Sequence, residues 1–244
     1  MTDWAGFRPC TCIAVDVAGY GGNNDRRQSE IQHELPRLLS RAASAAGLDR
    51  TRWRVQPQGD GQVALVPQDE GEPRLVDDYI RHLVVELRKY NQQRTGAYRM
   101  RMRAALHHGP VELADHGFAG RAVVATCRLL EADQLYQVLA RRPDADLALM
   151  LSDDIFGTTV GAGHTTFVQE EFDSVLVRKK EYEHPAWLWV PGGAGRQRPD
   201  QEAAPAAQLG TSADNGGDLR QTVVTHLYQP DARGSVFGFG SAHG

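Results

Sequence analysis

Cysteine is scarce in this chain of 244 residues, which holds three: Cys10, Cys12 and Cys127. An odd and sparse set gives no disulfide framework, and Cys10 and Cys12 lack the second Cys/His pair that a zinc site needs. All three read as reduced thiols, at least two of them in core strands. No apolar run approaches the roughly 20 residues that span a bilayer. The first residues, MTDWAGFRPCTC, lack the basic-then-apolar order of a secretory signal. These absences point to a cytoplasmic protein with no membrane partner. Basic charge is not in excess either: the net charge is −4, so the basic face of a general nucleic-acid binder is missing. The local clusters around Arg99 to Arg103 and at Arg178 to Lys180 read as solvated faces. Gly19, Gly21 and Gly22 have the wrong spacing for a dinucleotide fingerprint.

What is present is an ordinary globular mixture, 41% hydrophobic and 24% charged, long enough for one domain and a small appendage. A β-branched run, Cys10 to Val17, ends in an acid and then Ala-Gly-Tyr-Gly-Gly, which predicts a strand feeding a loop. Ile31, Leu35, Leu38, Leu39 and Ala42 recur at helical spacing between Ser29 and Ala46, with Gly47 as a stop and Pro36 as a predicted kink. Trp53 to Val55 and Gln62 to Val66 flank Gln-Gly-Asp-Gly, a hairpin with Asp60 at its tip. A helix follows from Pro73 to Tyr90, then strands at Met100 to His107 and Val111 to Leu113 around His-Gly-Pro. One helix is expected over Arg121 to Ala140. A buried strand at Leu147 to Leu151 leads to a short helix capped by Ser152. Strands at Val175 to Arg178 and Ala186 to Val190 close the domain. The pattern predicts an α+β domain over residues 1–191, a mostly antiparallel sheet with helices packed on one side of it. Residues 192–221, rich in Gly, Ala, Pro, Gln and Asp, read as a flexible linker. Residues 222–244 regain β-branched and aromatic character but are too few to fold alone.

Asp16 and Asp60 occupy parallel points, at the end of a strand and in a hairpin turn. If their strands are neighbours, two carboxylates converge beside a Gly-rich loop, a hard oxygen set that suits Mg²⁺ or Mn²⁺. Backbone N–H groups of Ala18, Gly19 and Tyr20 would then cradle phosphates. Asp also serves simply to satisfy turns, and spacing leaves both readings open.

The stretch IAVDVAGYGG resembles the first metal-binding segment of class III adenylate and guanylate cyclases, and VQPQGDGQVAL resembles the second. MRAALHHGPVELADHGFAGRAVVATCRLLEA is similar to the family's stretch running from a strand ending in His-x-Gly-x-Val to a helix carrying Ala-x-Arg-Leu. VLVRKKEYEHPAWLWV resembles its closing hairpin. The four segments come in family order from about Cys12 to Val190. The resemblance implies a ferredoxin-like nucleotidyl-cyclase fold and a homodimer that converts a nucleoside triphosphate into a 3′,5′-cyclic nucleotide and pyrophosphate. Asp16, Asp60 and the carbonyl of Val17 would hold two Mg²⁺ or Mn²⁺ ions. Arg128 would stabilise charge on the α-phosphate, and Lys179, favoured over Arg178 and Lys180, would hold the outer phosphates. Gln56 and Gly117 fall at the positions beside the base.

The chain also departs from the family. Where cyclases carry Asn one helical turn before the arginine, it has Val124, which cannot orient a ribose by hydrogen bonding. Gln56 stands where adenylate cyclases have a base-reading Lys, and an amide both donates and accepts, so the base stays open. His107, at the family's strand-end histidine, reads as structural. A rival to the enzyme is a binding module that keeps the fold and the metal acids without turnover. Residues 222–244 loosely resemble short β-rich motifs that recruit protein partners by strand pairing.

Overall fold

The structure is a computed structural model that describes residues 6–94 and 96–193. Nearly all of the expected linker, and the whole expected motif at 222–244, lie outside the described residues. One sheet organises the domain. Its strands are β1 (Arg8–Val17), β2 (Arg54–Gln58), β3 (Gly61–Val66), β4 (Met102–Ala114), β5 (Gly117–Ala119), β6 (Leu147–Ser152), β7 (Asp173–Lys179) and β8 (Tyr182–Trp189). They lie in the order β2-β3-β1-β4-β6-β8-β7, with β5 paired to β4. Every pairing is antiparallel except β4 with β6. That parallel pair needs a crossover, which α4 (Arg121–Leu130) and α5 (Asp133–Arg141) supply.

Both faces of the sheet are covered, so the one-sided arrangement expected from pattern is corrected. Alternation along β1 shows why: Ile13, Val15 and Val17 pack with Ile31 and Leu35 of α1 (Asp25–Ala45) and with Leu83 and Leu87 of α3 (Ile80–Asn91), which follows the one-turn α2 (Glu72–Arg74). Cys10, Cys12 and Ala14 point the other way, against Ala122 and Val123 of α4. α5 continues that second layer, its Leu135 and Val138 packing with Met150 of β6 and Val177 of β7. β6 is buried at all six positions, as a strand with helices on both faces must be. Each large aliphatic side chain buried here contributes about 1.5–3 kcal/mol of transfer free energy.

Several boundaries differ from expectation. α1 starts earlier, at Asp25, because the Asn24 side chain accepts the Arg27 N–H at 3.0 Å and caps it. The helix runs through Pro36, and the Ser40 hydroxyl bonds the Pro36 carbonyl. His-Gly-Pro does not interrupt β4, which continues to Ala114 because Gly109 and Pro110 pair with Cys10 and Pro9 of β1. The single helix expected over Arg121 to Ala140 is two, broken where Ala132 turns extended at φ −60° and ψ 131°. The cysteines are free, Cys10 and Cys12 buried and Cys127 half-buried.

Candidate active site

The register of β1 places Asp16 at the junction of three strands, opposite Gly61 of β3 on one side and Arg103 of β4 on the other. Gly61 is there by necessity: a Cβ at that position would overlap the Val15 carbonyl and stand 2.9 Å from the Asp16 Cα. The hairpin turn before it delivers Asp60, whose backbone carbonyl accepts the Val17 N–H at 3.1 Å. The two aspartates are thereby brought together at one end of the sheet. Burial raises the Asp16 carboxyl above its ordinary value; hydrogen bonds and charge from Arg103 oppose this, while Asp60 and Glu131 add to it.

Arg103 is the residue that sequence reading missed. Its Nε and Nη2 donate to Asp16 Oδ1 and Oδ2, each at 2.7 Å, and its guanidinium carbon lies 3.6 Å from the centroid of the Tyr136 ring on α5. The side chain is buried, and Nη1 has no hydrogen-bond partner among the described residues. The signal was a cation inside an otherwise apolar strand, MRAAL. Nor is the Arg99 to Arg103 cluster a solvated face. Arg99 binds the carbonyls of Pro143 and Asp144 and the Asp146 carboxylate. Arg101 binds the carbonyls of Leu139, Arg142 and Ala145. These arginines fasten β4 to the segment that enters β6.

The donor chemistry fits a hard divalent ion. Asp16, Asp60 and the Val17 carbonyl are all oxygen ligands, and an ionised carboxylate has about four acceptor positions, of which Arg103 takes two on Asp16. Among the described residues no group of three or more His, Cys, Asp or Glu side chains is arranged to hold a metal.

Between Asp16 and α1, Gly19 adopts φ 75° and Tyr20–Gly22 form a single 3-10 turn. The Ala18 N–H is spent on the Arg101 carbonyl at 2.8 Å, which leaves Gly19 and Tyr20 as the phosphate-cradle candidates. Arg128 lies on α4 and bonds Glu131 at 3.3 Å and Glu181 at 3.2 Å. Lys179 bonds Asp133 at 2.8 Å, and that hydrogen bond raises its pKa. Arg128 and Lys179 thus bond Glu131, Glu181 and Asp133, not Asp16 or Asp60, while Glu131 also adds to the charge felt by Asp16. Val124 is 45% exposed and lines a cleft of 740 Å³ with His107, Arg121, Asp154, Tyr182 and His184. His107 is half-buried there, and burial lowers its pKa. Gln56 and Gly117, 61 positions apart, do meet, since the Phe118 N–H donates to Gln56 Oε1 at 3.1 Å.

Solved structures share this architecture. The adenylate/guanylate cyclase/hydrolase from Silicibacter pomeroyi superposes with a TM-score of 0.56 at 21% identity, covering 77% of this chain and 99% of its own. The guanylyl cyclase Cya2 gives 0.54 at 19% identity, over 80% and 97% of the two chains. The catalytic core of a rhodopsin-guanylyl cyclase with converted specificity, in complex with ATPalphaS, gives 0.52 at 13%, over 78% and 98%. No family model and no curated protein matches the chain. The chain has the fold of nucleotidyl cyclase catalytic domains. No described helix is long and apolar enough to cross a membrane.

Proposed function

We propose that this chain is a cytoplasmic nucleotidyl cyclase that acts as a homodimer on a nucleoside triphosphate. The observation that carries the reading is the meeting of Asp16 and Asp60 beside the Gly19 turn, on a fold that cyclase domains share. Asp16, Asp60 and the Val17 carbonyl would hold two Mg²⁺ or Mn²⁺ ions. When bound, these would lower the pKa of the attacking hydroxyl and neutralise the leaving phosphates. The ribose 3′-oxygen forms a bond to the α-phosphorus and its proton passes to solvent. The bond from that phosphorus to the bridging oxygen breaks, and pyrophosphate leaves. Gly19 and Tyr20 would offer N–H groups to the phosphates. Arg128 would stabilise charge on the α-phosphoryl oxygens, and Lys179 would bind the outer phosphates. Both cations would exchange their carboxylate partners for phosphate oxygens. On the family resemblance, the aspartates and the arginine of one site come from two copies of the chain.

The test is direct. The four common triphosphates, each incubated with Mn²⁺ and the full-length protein, should give a 3′,5′-cyclic nucleotide and pyrophosphate from at least one, identified by mass. Arg128→Ala should abolish the product. No cyclic product at concentrations where the protein is dimeric would overturn the reading.

Val124 favours a second reading. Its exposed side chain presents only methyl groups to the cleft, so the domain would bind nucleotide without turning it over. Calorimetry would then show metal-dependent binding of a triphosphate that mass analysis recovers intact.

A further inference from the structure

A single side-chain amide joins the two turns that lie beside the aspartates. Gln28 and Gln32 stand one turn apart on α1, next to the buried Ile31 and Leu35. Gln32 Nε2 donates to the Tyr20 hydroxyl at 3.2 Å, in the turn that follows Asp16. It also donates to the Gly59 carbonyl, in the turn that holds Asp60. A carbonyl can only accept, so the nitrogen of the amide must face Gly59, and its two hydrogens serve both partners. Two more amides close the first turn. Asn23 Nδ2 donates to the carbonyls of Gly19 and Tyr20 at 3.0 and 3.1 Å, and Gln28 Nε2 to the Asn23 carbonyl at 3.1 Å. The same Gly19 and Tyr20 carbonyls take the N–H groups of Gly22 and Asn23 at 3.2 and 3.0 Å. Each of these oxygens therefore has at least two donors, which fixes the peptide planes of the turn. Gly19 is left-handed at φ 75° and Tyr20 opens a right-handed 3-10 turn. That alternation directs successive N–H groups to one concave side, a shape that receives anions.

We infer that Gln32 is a positioning residue for phosphate. By tying the Gly19–Tyr20 turn to the Gly59–Asp60 turn, it holds the N–H cradle at a fixed place against the paired aspartates. It thereby sets how tightly a metal-bound diphosphate or triphosphate is gripped, without touching the ligand itself. The inference rests on the cyclase reading for what the cradle binds; the clamp is a property of the folded chain. Gln32 is exposed, so its bonds compete with water and their loss is worth a moderate factor, about three- to tenfold in affinity.

Inorganic pyrophosphate with Mn²⁺ probes the cradle without turnover. With full-length protein, calorimetry should show its Kd rising about three- to tenfold in Gln32→Met. The KM of the preferred triphosphate should rise with it while kcat holds, the signature of binding lost equally from ground and transition states. The melting temperature should stay within about 2 °C of wild type, because the side chain is exposed. Tyr20→Phe removes one of the two acceptors; it should weaken pyrophosphate binding in wild type and add little in Gln32→Met. A pyrophosphate Kd that Gln32→Met leaves unchanged, or losses that simply add in the double variant, would overturn the inference even in an active cyclase. A Kd weakened as described, in a protein that makes no cyclic product, would sustain it while removing the cyclase reading. Wild-type protein that binds neither pyrophosphate nor any triphosphate overturns both.

Discussion

Arg103 grips both carboxylate oxygens of Asp16 from the neighbouring strand, two parallel bonds of 2.7 Å with the Tyr136 ring beneath the guanidinium. The arginine side chain is 7% exposed and the aspartate's 17%. Asp16 is therefore a structural partner as well as a candidate metal ligand, and its substitution affects folding as well as chemistry.

Asp16→Ala should destabilise the protein by about 3–5 kcal/mol, because it leaves a guanidinium buried without its counterion. Pairing it with Arg103→Met should recover most of that loss while leaving the protein unable to bind Mn²⁺. Urea unfolding of the two variants checks the stability, and the electron paramagnetic signal of free Mn²⁺ checks the binding. Equal instability of the single and double variants would refute the buried-pair account.

A second ion cluster predicts a pH dependence. Burial alone would raise the Glu30 carboxyl, but hydrogen bonds from Tyr90, Arg27 and Arg94 take it down to about 2 from the ordinary 4.5. A carboxyl lowered on folding stabilises the native state above its unfolded value, and that stabilisation is lost as pH falls through the folded one. Glu30→Gln should thus unfold more easily than wild type at pH 7, and the difference should shrink between 4.5 and about 2. At 37% exposure the effect is small. A gap in melting temperature that stays constant across that range would contradict the assignment.

Val124→Asn should leave stability within about 0.5 kcal/mol of wild type, since the side chain is exposed. On the cyclase reading it should raise kcat more than it changes KM, by supplying a hydrogen-bonding group toward the ribose. Steady-state kinetics on the preferred triphosphate measures the split. An unchanged kcat would show that Val124 does not limit turnover.

Much of this architecture was legible in the sequence where local signals were strong. The β-branched run of Cys10 to Val17 and the Gly59–Asp60 turn located β1 and the β2–β3 hairpin, and with them both aspartates. The break between α4 and α5 was not legible: Leu-Leu-Glu-Ala-Asp contains neither Gly nor Pro, and packing against β6 and β7 decides where the helix turns. Arg103 escaped because a cation in a basic stretch reads as solvated until its cross-strand neighbour is known, and register is a long-range property. The contact between Gln56 and Phe118 was hidden for the same reason, since the two residues are distant in the chain and meet only through the folded β4–β5 hairpin. Pro36 lies inside α1, with Leu35, Leu38 and Leu39 buried on either side of it.

On the cyclase reading, the aspartates of one chain work with Arg128 of another. Differently tagged Asp16→Asn and Arg128→Ala chains, co-expressed and purified as the mixed dimer, test it most directly. Each variant alone should be inactive, while the mixed dimer contains one complete site and should show about half the wild-type turnover. A mixed dimer as inactive as its parents, under conditions where wild type makes cyclic nucleotide, would contradict the account.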